Sequence, residues 1–178
     1  MKSILRVIRT VIVKCIHMRA ITIKGFVNLC HDTKIKITEN GKVYFGENLT
    51  TFNNVHLSAV GGKLEIGDNV FFNRNCIVVC REAIKIGDGC VCGPNVCIYD
   101  HDHQFGYEGI GSDYKTSQVS IGDNCWIGAN TVILRGTHIG DHSVIGAGTV
   151  VKGDIPPHSV VYSSRELVIH PIEKSTKE

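Results

Sequence analysis

A chain of 178 residues, 43% hydrophobic and 20% charged, holds enough apolar side chain for one folded domain and excludes a disordered segment. Its net charge of +2 gives no balance suited to a polyanion, so no nucleic-acid partner is expected. The eight cysteines raise the question of a disulfide framework, which their placement in the sequence pattern answers below.

Residues 2–19 come first. Ile4, Leu5, Ile8, Val11, Ile12 and Ile16 fall on one stripe of a helix, with Lys2, Arg6, Arg9, Lys14 and Arg19 elsewhere. Two uses fit such a helix. It caps the open end of a solenoid, whose core would otherwise face water, or it lies on an anionic membrane as a peripheral contact. The basic residues interrupt the apolar run and no small-residue cleavage site follows, so neither a signal peptide nor a spanning helix is expected. Residues 1–25 are set apart as this basic amphipathic segment, and the chain is placed in the cytoplasm or at the inner face of its membrane.

From Ile21 to Val43, strand-like pairs alternate: Ile21 and Ile23, Ile35 and Ile37, Val43 and Phe45. A six-residue frame then emerges. Phe45-Gly46-Glu47-Asn48-Leu49 is one repeat, Leu57 keeps the frame, and Ile66-Gly67-Asp68-Asn69-Val70 restarts it, followed by Phe72, Val78 and Ile84. After a two-residue slip it resumes at Ile86-Gly87-Asp88-Gly89-Cys90, then Cys92 and Ile98; such a slip marks a bulge or loop at a corner. Between Ile98 and Val119 the frame vanishes into a polar, aromatic, glycine-containing stretch, assigned as an excursion loop over 99–118. A loop this long inside a strict repeat is usually functional.

The frame is cleanest from Ile121 to Val151. An aliphatic residue recurs at Ile121, Ile127, Ile133, Ile139, Ile145 and Val151, and a small one four places later at Cys125, Thr131, Thr137, Ser143 and Thr149. A period of six suits neither a helix nor a plain strand. It suits a solenoid of short strands and tight turns, three repeats to a coil, with the aliphatic residue inward and Gly or Asn taking the turn positions with positive φ. The regular part amounts to roughly five coils stacked about 4.8 Å apart. Asp154-Ile155-Pro156-Pro157 then ends the regular ladder, because proline cannot donate to it. The solenoid domain is bounded at 26–162, with a tail over 163–178.

Cys76, Cys90 and Cys125 fall on the small position of the repeat and Cys92 on an aliphatic one. They read as small apolar residues of a reducing compartment. Cys90 and Cys92 are expected to alternate inward and outward on their strand, a poor arrangement for a metal.

These repeats, closed by Asp-Ile-Pro-Pro, resemble the hexapeptide-repeat acyltransferases over about residues 40–162. The C-terminal half is most similar to the maltose, galactoside and nodulation-type sugar O-acetyltransferases, and the basic N-terminal helix to that of polysaccharide O-acetyltransferases. The resemblance implies an all-β fold, a left-handed parallel β-helix, preceded here by the amphipathic helix and broken by one excursion loop. That hand follows from the family alone, since parallel crossovers are generally right-handed. The family also implies a homotrimer, acetyl-CoA as co-substrate, no metal, and an active site between neighbouring β-helices.

Residue by residue, the family's catalytic histidine matches His101 in Tyr99-Asp100-His101-Asp102-His103. A sugar hydroxyl is a weak nucleophile at neutral pH, and an imidazole, whose ordinary pKa is about 6.5, can take its proton during attack on a thioester. Asp100 or Asp102 would fix the tautomer. His103 is expected to point to the opposite side, and a metal site on His101 and His103 lacks a third ligand at family spacing. Asn73 matches the acceptor-binding position. Trp126 would face outward beside the acyl-CoA arm, Ala129 and Ala147 would meet that arm through their backbone, and Lys152 and Arg165 would reach its phosphates. Cys80-Arg81 stand where galactoside enzymes carry an acidic acceptor contact, which leaves room for an anionic acceptor.

The function implied is transfer of acetyl to a saccharide hydroxyl, in the making of a bacterial surface polysaccharide whose acceptor is lipid-linked or polymeric. Transfer to an amino sugar or another small molecule, a drug included, is the alternative. A metal protein like the γ-class carbonic anhydrases is a more remote one, with His138 and His142 as its candidate ligands.

Overall fold

The computed structural model describes residues 8, 10–13, 15 and 19–164. From Ile21 the chain winds as a left-handed parallel β-helix of about six coils. Each coil contributes one strand to each of three faces, taken in the order A, B, C. Face A stacks seven strands, from Ile21–Ile23 to Asp154–Ile155. Face B stacks six, from Thr50–Thr51 to Val160–Val161, and face C six, from Lys34–Thr38 to Val150–Val151.

The six-residue frame builds this directly. Ile121, Ile127, Ile133, Ile139, Ile145 and Val151 all point inward, none more than 3% exposed. The small position closes each corner from within: Thr137 Oγ1 donates to Leu134 O at 2.6 Å, and Thr131 and Ser143 are likewise fully enclosed. At the corner between faces A and B, each Asp caps the backbone of the coil before it. Asp68, Asp88, Asp123 and Asp141 accept from the N–H groups of Glu47, Asp68, Asp88 and Asp123 at 2.7–2.8 Å. This explains the Gly of Ile-Gly-Asp-Asn, since a Cβ at Gly122 would collide with the Asp141 carboxylate. The Asn that follows takes positive φ (Asn69, 58°; Asn124, 54°), a conformation its short side chain tolerates. At the corner between B and C, Asn54, Asn75, Asn95 and Asn130 form a ladder of side-chain amides at 2.9–3.1 Å.

The structure begins one coil earlier than the visible frame, because coil lengths vary. Equivalent Asp-to-backbone bonds span 21, 20, 35 and 18 residues along the chain. Face-C strands of the first coils, such as His56–Val60, are five residues long against two for Val132–Ile133. The slip near Ile84 is not a bulge. Ile84 and Ile86 both point inward on one four-residue strand, Ala83–Ile86, which pairs with Lys63–Ile66 without a shift.

Two further expectations are corrected. Cys90 and Cys92 do not alternate; both are fully buried, as residues two apart on an extended chain share a side. The described part of the N-terminal stripe does not face the coil either. Among the described residues Ile8, Val11 and Ile12 are about half exposed, while Thr10 and Val13 pack inward. Thr10 Oγ1 accepts the Val27 N–H at 3.2 Å, a backbone donor at the uncovered first coil, and that hydrogen bond sets the rotation of the helix.

All eight cysteines are free. Burial pushes the Cys76 thiol up to about 11 and Cys92 well above its ordinary range. In the folded protein at pH 8, Cys15 and Cys30 are open to an aromatic disulfide reagent and Cys97 only where face C is uncovered, while Cys76, Cys80, Cys90, Cys92 and Cys125 should react only after denaturant is added. Fast reaction of more than those three would contradict this packing.

Candidate active site

The excursion between Tyr99 and Ser117 is a β-hairpin, not an irregular loop. His101–Gly106 pairs antiparallel with Gly109–Thr116, and the hairpin leaves the coil at the corner between faces C and A. Asp100 fastens its base. This carboxylate is fully buried and accepts Arg81 N–H at 2.8 Å and Glu82 N–H at 2.8 Å, both from the corner one coil earlier. Asp100 O also accepts the Ser117 N–H at 2.9 Å, closing the neck.

His101 is the first residue above that base. Its Nδ1 lies 3.1 Å from Asp100 Oδ1, and its side chain is 14% exposed. A carboxylate facing Nδ1 favours the tautomer that donates from Nδ1, which in a neutral imidazole leaves the lone pair on Nε2. His101 and His103 both pack on Tyr114, with ring centroids 5.4 and 4.6 Å apart. His103 is therefore on the same side as His101, contrary to expectation, again because alternate residues of a strand share a face. Asp102 does not contact the imidazole. It pairs with Arg135 Nε at the same corner one coil later. Beyond these groups the hairpin carries an open groove of about 700 Å³, bounded by His101, His103, Phe105 and Ile110, and an exposed apolar tip at Phe105, Tyr107 and Ile110.

The remaining candidates sit elsewhere. Trp126 projects outward from face B, 56% exposed. Asn73, Ala129 and Ala147 lie at the corner between B and C, across face C from the hairpin. Asn73 Oδ1 accepts the Arg74 N–H at 2.8 Å, so half of its amide shapes the turn and the Nδ2 donors remain for a ligand. The Ala129 carbonyl already accepts Gly148 N–H at 2.8 Å. Lys152 is exposed at the C–A corner, on the His101 side. Arg165 lies outside the described residues. One chain thus divides the candidates between two corners: His101 and Lys152 on one, Asn73, Ala129 and Ala147 on the other, with Trp126 beside the latter.

Tyr114 and Arg135 were missed by the sequence reading. A signal for Arg135 existed: the repeat at Ile133 puts Leu134-Arg135 where its neighbours carry Gly followed by Ala or Asp. His138 Nδ1 is bound to Ser120 Oγ at 2.8 Å, and His142 stacks on His158, so these two histidines do not converge with His101. Among the described residues, Cys30, His31 and Asp32 bring possible ligand atoms within 4.8 Å of one another, far along the coil axis from the hairpin.

A parallel helix of hexapeptide repeats interrupted by one histidine-bearing hairpin defines the class of protein. The hexapeptide repeat of succinyl-transferase matches residues 63–100 and 118–152. A putative lipopolysaccharide biosynthesis O-acetyl transferase of Escherichia coli (strain K12) is 33% identical over 152 residues, covering 79% of this chain and 78% of that protein. The galactoside O-acetyltransferase of the same organism is 38% identical over 65% of this chain, which spans 57% of that relative. The chain belongs to the hexapeptide-repeat acyltransferase family. Among solved structures, a variant of the N-acyltransferase AntD from Bacillus cereus, with coenzyme A and dTDP-4-amino-4,6-dideoxyglucose, superposes with a TM-score of 0.72 over 93% of this chain and 89% of its own at 18% identity, a likeness of fold. A hexapeptide-repeat acetyltransferase from Vibrio cholerae, complexed with acetyl coenzyme A, gives 0.57 at 26% identity over 78% of this chain and 66% of its own.

Proposed function

We propose that this chain transfers acetyl from acetyl-CoA to a saccharide hydroxyl, with His101 as general base. The observation that carries this is the Asp100–His101 pair at the neck of the hairpin. Nε2 takes the hydroxyl proton as the oxygen attacks the thioester carbonyl. The C–S bond then breaks, and the imidazolium returns the proton to the departing CoA sulfur. Asp100 holds the tautomer and stabilises the imidazolium. Among the described residues no serine or cysteine is hydrogen-bonded to His101, which favours direct transfer within one ternary complex. Acetyl-CoA and a surface-polysaccharide precursor, lipid-linked or polymeric, are the substrates that the relatives' activities suggest.

The site is built between copies. The outward column of face A is polar: Thr22, Tyr44, Glu65, Lys85, Ser120, His138, Asp154. Those of faces B and C turn apolar toward the later coils: Phe71, Val91, Trp126, Val144 and Val160 on B, and Ile77, Cys97, Val132 and Val150 on C. A cyclic trimer needs two different surfaces on each protomer. Turning face C toward a threefold axis buries its apolar column and brings the His101 corner of one copy against the Asn73 and Trp126 corner of the next. Asn73 then contacts the acceptor, Trp126, Ala129 and Ala147 border the acyl-CoA arm, and Lys152 and Arg165 meet its phosphates.

No helix among the described residues is long and apolar enough to cross a membrane. The proposed location is the cytoplasm, where acetyl-CoA is available and thiols stay reduced. There the exposed Ile8, Val11 and Ile12 touch the inner membrane face.

The test is incubation with acetyl-CoA and a panel of neutral, acidic and amino sugars, read by mass spectrometry. Acetyl on a hydroxyl supports the proposal, and acetyl on amines alone contradicts the hydroxyl specificity. CoA at 100 times its Kd should stabilise the fold by about 2.7 kcal/mol. Absence of both product and stabilisation contradicts the transferase reading itself.

A further inference from the structure

Arg81 is a cation at the neck of the hairpin that no acidic side chain neutralises among the ion pairs of the described residues. It stands at the C–A corner one coil before His101, and its backbone N–H shares Asp100 Oδ1 with His101 Nδ1. Its guanidinium lies over Tyr114, Cζ 3.5 Å from the ring centroid, and the same ring meets His101 at 5.4 Å. Cation and imidazole are therefore both held against one tyrosine.

The equivalent corner two coils later, one beyond the hairpin, offers a contrast. Arg135 stands there, and Asp102 meets its charge. Arg81 receives no such partner, and its half-buried side chain encloses an Nε that finds no hydrogen-bond acceptor. A partly desolvated guanidinium with an unmet donor is unfavourable alone and favours a ligand that brings oxyanions. Stacking on Tyr114 fixes its plane in advance, so little side-chain freedom is lost on binding.

We propose that Arg81 binds an anionic group of the acceptor, so that the acceptor is an acidic saccharide bearing a carboxylate or a phosphate. This rests on the reading of His101 as the base on the acceptor side. The anion anchors the sugar on the coil before the hairpin and leaves a neighbouring hydroxyl to reach His101 Nε2.

The test uses the full chain with CoA present and three probes: a methyl glucuronoside, glucose 1-phosphate and a methyl glucoside, titrated by saturation-transfer NMR. At least one charged probe should bind roughly 10- to 100-fold more tightly than the neutral one, the range of a hydrogen bond to a charged group. Preference for the glucuronoside identifies a carboxylate acceptor, and preference for the phosphate identifies a phosphorylated one. Arg81→Gln should erase the preference and Arg81→Lys should keep part of it. Tyr114→Leu separates charge from stacking, because it removes the platform and leaves the cation; a preference that persists there supports the charge. Equal binding of the three probes, or a preference that survives Arg81→Gln, overturns the proposal. Turnover is read separately, in parallel samples supplied with acetyl-CoA in place of CoA. Charge preference with neither acetyl product nor thermal stabilisation by CoA keeps the anion site and removes the transferase reading. Acetylation of the neutral sugar with no charge preference removes the anion site alone.

Discussion

His101→Ala lowers kcat by about 10²- to 10⁴-fold, the usual contribution of a positioned general base. The loss falls on kcat, because the imidazole acts as the proton leaves the hydroxyl and binds neither the nucleotide nor the pantetheine. The fold should lose little. His101 is largely buried at the neck of an external hairpin, against Tyr99, Tyr114 and Asp100, so its removal should cost on the order of 1 kcal/mol of stability. Asp100→Asn behaves differently. Both carboxylate oxygens are in use: Oδ1 serves Arg81 and His101, and Oδ2 serves Arg81 and Glu82. An amide can offer only one oxygen, so at least one buried N–H loses its acceptor, at about 1.5–3 kcal/mol for a bond to a charged group. Asp100→Asn should therefore lower stability by more than His101→Ala does, while both lower kcat. Activity assays paired with thermal melts separate the two. Near-normal kcat in a folded His101→Ala protein would remove His101 from the chemistry.

Much of the fold was legible because the repeat is written in side chains that each have one job. Ile145 must point inward, Gly122 must leave room for Asp141, and Asn124 must take positive φ, so a period of six carries the whole coil. The first coils were harder to read. There the face-C strands lengthen, and Ile35 and Ile37 or Leu57 and Ala59 supply two inward residues per strand, which shifts the frame without breaking the structure. The helix stripe misled for a related reason. Periodicity identifies an apolar face and cannot say what that face meets, and a single hydroxyl, Thr10, decided the orientation.

The site was legible in part. The loss of the frame after Ile98 located it, and the match at His101 named its first residue. What the sequence could not show was long-range. Asp100 is held by backbone groups of Arg81 and Glu82, nineteen and eighteen residues away, and Tyr114 gathers His101 and His103 from one strand and Arg81 from the coil before. The separation of Asn73 and Trp126 from His101 is also a property of the coil, since successive turns, six residues apart in the repeat, lie on different corners.

That separation makes the central claim testable in one measurement. If each site takes His101 from one copy and Asn73 with Trp126 from the next, two inactive proteins can repair each other. His101→Ala and the Asn73→Ala, Trp126→Ala double variant are co-refolded in equal amounts, and transferase activity is compared with that of each variant assembled alone. In a closed ring of heterologous contacts, random mixing pairs an intact His101 corner with an intact Asn73 corner at about a quarter of the sites. Recovery to about a quarter of wild-type activity is the predicted result. Activity no higher than the average of the two separate variants would show that the site does not lie between copies.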